Sequence, residues 1–378
     1  MKPLGIICEY NPFHTGHKYQ IEKTLERCNS VVCAMSGSFT QRGEAALFDK
    51  YTRAKCAVMC GASLVVELPF FAAVSSANYF AEYGVRLLSR ICSGISFGSE
   101  CGSIEELKNR GEASAEEIKQ RLKEGRSYAS AVSVADRGTP NDILGMEYLR
   151  AAEKYNMTAM TVKRCGEGYD SENAAGDFIS AAACRKYVLN GEIERILKYI
   201  PKEVRYIFEE CTKSGDYAVT PDILAVILRY NKNALADNPY IKEGIENRFY
   251  EAADMFVHNS DILSYVKSKR YTMTMLSRIA ACAYVGLKKQ DFLKYMNGGV
   301  EYIRVLAADK KGMEIVSQLK KNGETIVVNY SDSKNLSPIG KEIFELEKKA
   351  SDIRLLGMKN SALQKNEYTN KFEITTRP

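Results

Sequence analysis

The chain has 378 residues, which is too long for one ordinary domain and comfortable for two. Its composition, 45% hydrophobic and 26% charged, supplies enough apolar material for packed cores and excludes a largely disordered chain. With 53 basic against 47 acidic residues the formal charge is only +6, so any contact with nucleic acid must come from a local basic patch.

The cysteines indicate a reducing compartment. All 11 are scattered without a CxxC pair, and most lie inside apolar runs. We therefore expect buried thiols in a cytoplasmic protein rather than a disulfide framework or a zinc site. The N-terminus is predicted to be a first strand and not a signal peptide, because Glu9 and Asn11 interrupt its apolar run. No apolar run reaches 18 residues, so no membrane span is expected.

The first half of the chain alternates between strand and helix patterns. Continuous apolar runs predict buried strands at residues 4–8, 31–35, 64–68, 95–97 and 158–162. Helical patterns follow from His17, over about 45–60 with Gly61 at the C-cap, and over 75–91. This alternation predicts a doubly wound α/β fold with a parallel sheet.

After about residue 190 the pattern becomes mostly helical. Strand-like pieces return only at 302–306 and 325–330, and a charged helix follows them. The predicted organisation is therefore an α/β domain over 1–190 and a mostly helical C-terminal region over 191–378 with a small mixed end.

The segment EYNPFHTGH, from Glu9 to His17, carries the most informative pattern. It joins the first strand to its helix, at the carboxyl end of the strand, where doubly wound sheets bind ligands. Pro12 stiffens the turn, and Gly16 lets a ligand approach the backbone. Two of the three histidines, His14 and His17, lie at the helix start, where free N–H groups favour phosphate.

Two imidazoles there could hydrogen-bond a triphosphate and the charge that develops when its α-phosphorus is attacked. The alternatives for His14 and His17 are a metal pair or two ordinary surface histidines, because HxxH alone is a weak signal. No carboxylate ligand pattern accompanies the pair, so no metal site is expected. The position between strand and helix favours nucleotide phosphate.

Near the second strand, a polar loop and the helix after it offer three basic side chains. Arg42 in QRGE could reach RNA or a triphosphate, and the alternative is a surface turn. Lys50 and Arg53 lie three residues apart on one helix face and could contact phosphates, although most such charges belong to a solvated face.

A second basic stretch spans residues 267–294, where seven lysines and arginines stand against one acid, Asp291. Three tyrosines at 265, 271 and 284 interleave with them, a combination that suits RNA backbone contact with base stacking. Lys269, Arg270 and Arg278 are the RNA-binding candidates. The alternative is a helix pair with a charged outer face.

Seven segments spread over nearly the whole chain carry a family resemblance. They are GIICEYNPFHTGH (5–17), MSGSFTQRGEAALFDKYTRAK (35–55), GASLVVELPF (61–70), SFGSE (96–100), PNDILGMEYL (140–149), KRYTMTMLSR (269–278) and YIRVLAADKKG (302–312). On these residues the chain resembles the HxGH nucleotidyltransferases and, more narrowly, the tRNA(Met) cytidine acetate ligase family.

The resemblance implies a Rossmann-like nucleotidyltransferase (HUP) domain and a two-step reaction. Acetate would attack the α-phosphate of ATP to give acetyl-adenylate and pyrophosphate, with Mg²⁺ expected on the triphosphate. The acetyl group would then pass to the wobble cytidine of elongator tRNA(Met), giving acetylcytidine.

The resemblance also implies site residues. His14 and His17 would be catalytic. The ATP site would comprise Ile7, Cys8, Glu9, Tyr10, Asn11, Pro12, Phe13, His14, Thr15, Gly16, His17, Lys18, Tyr19 and Gln20 together with Gly98, Asn141, Arg164, Ser180 and Arg185.

The segment ISAAACR, which contains Ser180 and Arg185, departs from the superfamily's usual ISSTxIR. Ala181 and Ala182 replace hydroxyl residues, which bears on the strength of phosphate binding. Ser180 could equally serve only as a helix N-cap.

Two other functions remain open from the sequence. An adenylyltransferase acting on a small phosphorylated metabolite would release a stable adenylylated product and would not need the basic stretch. A non-catalytic RNA-binding factor would keep its tRNA binding and its cellular function when both histidines of the turn are replaced by alanine.

Overall fold

A computed structural model describes residues 3–110, 120–125, 139–164, 179–242, 244–360, 362, 367–370, 372 and 374–376. Its seven strands form one sheet in the order β5-β4-β1-β2-β3-β6-β7. The strands are β1 Leu4–Cys8, β2 Val31–Ser36, β3 Leu64–Leu68, β4 Gly94–Ser99, β5 Thr158–Lys163, β6 Ile303–Ala308 and β7 Ile326–Val327.

The first five strands are parallel and confirm the doubly wound α/β prediction. Leu4 of β1 pairs with Val31 of β2 on one side and with Gly94 of β4 on the other. All five carboxyl ends therefore lie at one edge of the sheet, and β1 is central.

Helices cover both faces of this sheet. Successive residues of β2 belong to different cores, with Val32 and Ala34 in one and Cys33 and Met35 in the other. Among the described residues of the first half, the α-helices are Thr15–Leu25, Lys50–Met59, Phe70–Ala73, Ala77–Ser89, Ile104–Arg110, Pro140–Lys154 and Ala181–Leu189. Both faces of each inner strand are therefore buried, which explains the continuous apolar runs of the sequence.

The second helix begins later than its pattern predicts, at Lys50 rather than near residue 45. Asp49 is the N-cap that sets this start, because its carboxylate accepts the N–H groups of Tyr51 and Thr52, both at 2.9 Å. Residues before this cap form a separate loop, closed by a bridge between Phe39 and Ala45.

The second half is mostly helical, as predicted, yet it also completes the sheet. Strand β6 pairs antiparallel with β3, with Leu64 opposite Ala308, and β7 extends the sheet beyond it. The small mixed end is thus part of the first sheet, and the sheet does not end at the boundary near residue 190. The helices are Arg205–Ser214, Leu224–Tyr230, Ile245–Met255, Asn259–Val266, Met273–Val285, Lys289–Asn297, Lys310–Lys321 and Pro338–Leu356. Among the helices that the structure describes, none has the length and apolar character needed to cross a bilayer.

Candidate active site

A cleft of about 200 Å³ opens at the carboxyl ends of β1 and β4. It brings together most of the side chains that the sequence assigns to nucleotide binding, although they come from five distant segments. Those lining it are Ile7, Cys8, Glu9, Tyr10, Asn11, His14, His17, Gln20, Gly98, Asn141, Arg164, Ser180 and Arg185, and Arg42 joins them.

The other predicted residues of the N-terminal segment do not line this cleft. Pro12 and Phe13 are buried and face a small internal space behind the turn. Lys18 donates to Glu203 at 2.6 Å. Thr15, Gly16 and Tyr19 belong to the first two turns of the helix that begins at Thr15. The turn therefore exposes part of its length to the cleft and uses the rest for anchoring.

His14 and His17 cap the first helix together. Nδ1 of His14 accepts the Gly16 N–H at 3.1 Å, and Nδ1 of His17 accepts the His14 N–H at 3.3 Å. The two rings stack with their centroids 3.7 Å apart. Because each Nδ1 is an acceptor, a neutral ring carries its proton at Nε2, so each ring has one N–H donor beyond the cap.

Both rings are held in the neutral form. Burial, followed by the nearby charge of Arg164, lowers the pKa of His14 to about 3. Burial, the adjacent His14 and Arg164 lower the pKa of His17 well below its ordinary value. At neutral pH the site therefore presents two uncharged Nε2–H donors rather than two cations.

The backbone of the turn is held from three sides. Tyr10 adopts a positive φ of 49° and is buried, with its hydroxyl 3.4 Å from the Cys33 sulfur. The Asn11 side-chain oxygen accepts the Leu47 N–H at 2.8 Å, and the main-chain carbonyl of Asn11 accepts from Arg185 at 2.8 Å. These contacts fix the orientation of the two histidines that follow.

Glu100 contacts two residues that line the cleft, Asn141 and Arg164. Its carboxylate accepts from the Asn141 amide at 2.6 Å and lies 3.2 Å from Nε of Arg164. A Cβ at Gly98 would approach the Arg164 side chain to 3.2 Å, so this glycine leaves room for the arginine above it. Glu100 lies in the SFGSE segment, but sequence reasoning did not assign it a role.

An apolar part of the wall was also missed. Phe80, Phe97, Leu144 and Tyr148 line the cleft beside Asn141. Leu144 and Tyr148 share one face of the helix Pro140–Lys154 with Asn141, and this helical spacing is the signal that could have found those two residues. Such a surface suits the face of a purine base.

Ser180 is the N-cap of the helix Ala181–Leu189, and its Oγ accepts the Ala183 N–H at 3.1 Å. Ala181 and Ala182 line the cleft at this helix start. The hydroxyls that the superfamily usually carries here are absent, but the start of the helix still presents backbone N–H groups to an anion.

Lys50 and Arg53 are buried, so they cannot contact RNA as the sequence predicts. Lys50 is 2% exposed and forms ion pairs with Glu67, at 2.6 Å, and with Glu367. Arg53 is 1% exposed and donates to the carbonyls of Glu9, Ser36, Gly37 and Phe48. Inside the protein both charges are therefore met by carboxylates or carbonyls rather than by solvent.

The basic stretch of the second half divides into exposed and buried side chains. Lys269 and Arg270 are exposed, whereas Arg278 is half-buried and donates from Nε to the Gln41 carbonyl at 2.6 Å. Tyr271 and Tyr284 are buried and cannot stack on RNA bases, contrary to the interleaved pattern. In the part of the chain that the structure describes, no group of three His, Cys, Asp or Glu side chains could hold a metal ion.

The cleft suits an anionic, partly aromatic ligand. It combines neutral imidazole donors, a helix start and the guanidinium groups of Arg42, Arg164 and Arg185 with an apolar wall. Donors placed around one space can stabilise charge that develops on a phosphate during in-line attack.

Comparisons with known proteins give matches over nearly the whole chain. The model of the HIGH Nucleotidyl Transferase family matches residues 1–369. A tRNA(Met) cytidine acetate ligase of Caldanaerobacter subterraneus subsp. tengcongensis is 34% identical over 97% of this chain and 98% of its own length. That of Acetivibrio thermocellus is 33% identical over 99% and 100%, respectively.

Two crystal structures of Thermotoga maritima TmcAL, both 28% identical, are similar to the whole fold. The form bound with alpha-thio ATP has a TM-score of 0.86 and covers 97% of both chains. The apo form has a TM-score of 0.90 and covers 100% of both chains.

Proposed function

The chain belongs to the HIGH nucleotidyl transferase family, and we propose that it is an ATP-dependent ligase that acetylates the wobble cytidine of elongator tRNA(Met). Relatives at 33–34% identity over nearly the full length are named tRNA(Met) cytidine acetate ligase. The similar TmcAL of Thermotoga maritima was crystallised with an ATP analogue.

In the first proposed step, an acetate oxygen attacks the α-phosphorus of ATP. The bond from the α-phosphorus to the bridging oxygen breaks, and pyrophosphate leaves with that electron pair. In the second step, the exocyclic amine of cytidine attacks the acetyl carbon, AMP leaves, and the amine loses a proton. Both steps need positioned donors more than a covalent catalyst.

One observation carries this proposal: the stacked, neutral His14–His17 pair at the start of the first helix, with both rings lining the cleft. Their Nε2–H groups would donate to the triphosphate and to the charge that develops at the α-phosphorus. Arg164, Arg42 and Arg185 would balance the remaining negative charge, and the Phe97–Tyr148 wall would receive the adenine.

Mg²⁺ would enter with the triphosphate. Since the described residues offer no cluster of three metal-ligating side chains, phosphate oxygens and water would supply most of its ligands. In this role the ion would shield the charge of the leaving pyrophosphate.

The tRNA would dock beside the cleft, with Lys269 and Arg270 contacting its backbone. Both side chains are exposed and close in sequence to Arg278, which contacts the loop that carries Arg42. An RNA-modifying activity and the buried thiols of the described residues fit a cytoplasmic location.

The test separates the two steps. In ATP–pyrophosphate exchange without tRNA, acetate should stimulate label incorporation, and a substitution of both histidines by asparagine should abolish that stimulation. With labelled acetate, ATP and bulk tRNA, the digested RNA should carry the label on acetylcytidine.

Exchange that ignores acetate would refute the acetyl-adenylate step. A stable adenylylated small molecule in the same reaction would instead support the adenylyltransferase alternative. Wild-type tRNA binding and cellular function in the histidine double variant would support the non-catalytic one.

A further inference from the structure

Residues 38–46, called here the cleft loop, connect β2 to the helix Lys50–Met59. The loop is closed by the Phe39–Ala45 bridge and by the Thr40 N–H, which donates to the Glu44 carbonyl at 2.9 Å. Three consecutive residues at its tip, Thr40, Gln41 and Arg42, line the nucleotide cleft. Its conformation therefore sets where the Arg42 guanidinium stands.

Residues of the second half of the chain hydrogen-bond to this loop at its tip and at its base. At the tip, Nε of Arg278 donates to the Gln41 carbonyl at 2.6 Å. At the base, Arg354 donates to the Ala46 carbonyl at 2.7 Å, and the Thr220 hydroxyl accepts the Ala45 N–H at 2.9 Å. These partners lie more than 170 residues away in sequence, so the loop is not a self-contained turn.

Backbone packing at Gly43 shows how closely the tip meets the helix Met273–Val285. Gly43 has a φ of +78°, and a Cβ on it would lie 2.5 Å from the Arg278 nitrogen and 2.5 Å from the Ser277 carbonyl carbon. Only glycine allows the peptide between Ser277 and Arg278 to lie directly on the loop.

Gln41, whose carbonyl accepts from Arg278, also contacts the turn from Glu9 to His17. The Gln41 N–H donates to the Glu9 carboxylate at 2.7 Å, and Glu9 follows β1 in the cleft wall. The main chain of Gln41 is therefore held between Glu9 on one side and Arg278 on the other. Gln41 thus connects Arg278 of the second half to the wall of the cleft.

We propose that Arg278 is a positioning residue, which fixes the cleft loop against the nucleotide site so that Arg42 stands ready for the triphosphate. Its link to Gln41, and not a contact with RNA, is its role. The effect on catalysis rests on the proposed function, whereas the effect on the loop does not.

The test uses Arg278→Met in the full-length protein, because methionine keeps part of the aliphatic stem and removes the Nε donor. Amide hydrogen exchange of a peptide covering residues 38–46 should become about tenfold faster or more, with other regions unchanged. Gly43→Ala is a second variant and should loosen the same peptide. Arg195→Met is the matched control, because Arg195 is an exposed arginine paired with Glu192 at the surface, at 3.0 Å.

A double-mutant cycle provides the second readout. In acetate-dependent exchange without tRNA, Arg278→Met should lower the apparent kcat by about tenfold or more, and Arg42→Ala should lower it by at least as much. Combining them should cost no more than the larger single effect, because Arg278 acts through Arg42.

Unchanged loop protection in Arg278→Met, or fully multiplicative kinetic effects of Arg278→Met and Arg42→Ala, would overturn the proposal. If the wild-type protein showed no acetate-dependent exchange, the proposed function would fail, and the loop measurement would still decide this inference.

Discussion

Replacing His14 by asparagine separates the two contributions of this side chain. Its Nδ1 caps the first helix through the Gly16 N–H, and its Nε2–H is the donor that we assign to the triphosphate. Asparagine is a strong N-cap residue, so His14→Asn should change the free energy of unfolding by less than about 0.5 kcal/mol. It carries no donor at the position of Nε2, and losing one such donor lowers kcat by about 10²–10³. His14→Ala should lose the cap as well, at about 1 kcal/mol of stability.

The assay is ATP–pyrophosphate exchange with and without acetate, run beside urea unfolding of all three proteins. We expect both variants to lose exchange by a similar factor and only His14→Ala to lose stability. Wild-type exchange in His14→Asn would refute the assignment of His14 as a phosphate donor. Equal losses of stability in both variants would refute the capping argument.

Acid should destabilise the wild-type protein through His14, whose pKa is lowered to about 3 in the folded state. Between about pH 6.5 and pH 3 the unfolded chain binds a proton at this ring and the folded protein does not, so in that range the stability of wild type relative to His14→Asn should fall by about 1.4 kcal/mol for each unit that the pH is lowered. A pH-independent difference would contradict the buried neutral ring. Lys50→Met removes the cation paired with the buried Glu67 and leaves Glu367 with Arg304, so it should cost about 3–5 kcal/mol in urea unfolding. A loss under about 1 kcal/mol would show that the carboxylates relax. Lys269→Ala combined with Arg270→Ala should weaken tRNA binding and reduce the slope of log K against log salt by about 1–2, measured by filter binding. An unchanged slope would place the RNA elsewhere.

The strands of the first half were predictable because their physics is local. A parallel strand covered on both faces must be apolar at every position, so runs such as that of β2 stand out against the helices around them. The position of the turn from Glu9 to His17 was predictable for a related reason. A motif at the carboxyl end of β1 must lie where the other parallel strands end, and the cleft is there.

Burial of charge was not predictable from spacing. Lys50 and Arg53 stand three residues apart on a helix, a pattern that normally marks a solvated face. The fold buries them because carboxylates and carbonyls from distant segments meet them, Glu67 from β3 and Glu367 from the C-terminal end. Helical spacing reports which residues share a face, but not what that face meets.

The same reasoning explains why the pairing partner of β6 and the loop contact of Arg278 were not predicted. The run at β6 identifies a buried strand, but its pairing with β3 joins residues more than 230 positions apart, and nothing local encodes that partner. The pairing of β6 with β3 joins the second half of the chain to the sheet of the first half. Arg278 then contacts the loop that leaves β2, next to β3, and not only solvent or RNA. A residue of the basic stretch thus contacts a loop that lines the cleft, and the hydrogen-exchange experiment on residues 38–46 tests whether that contact holds the loop.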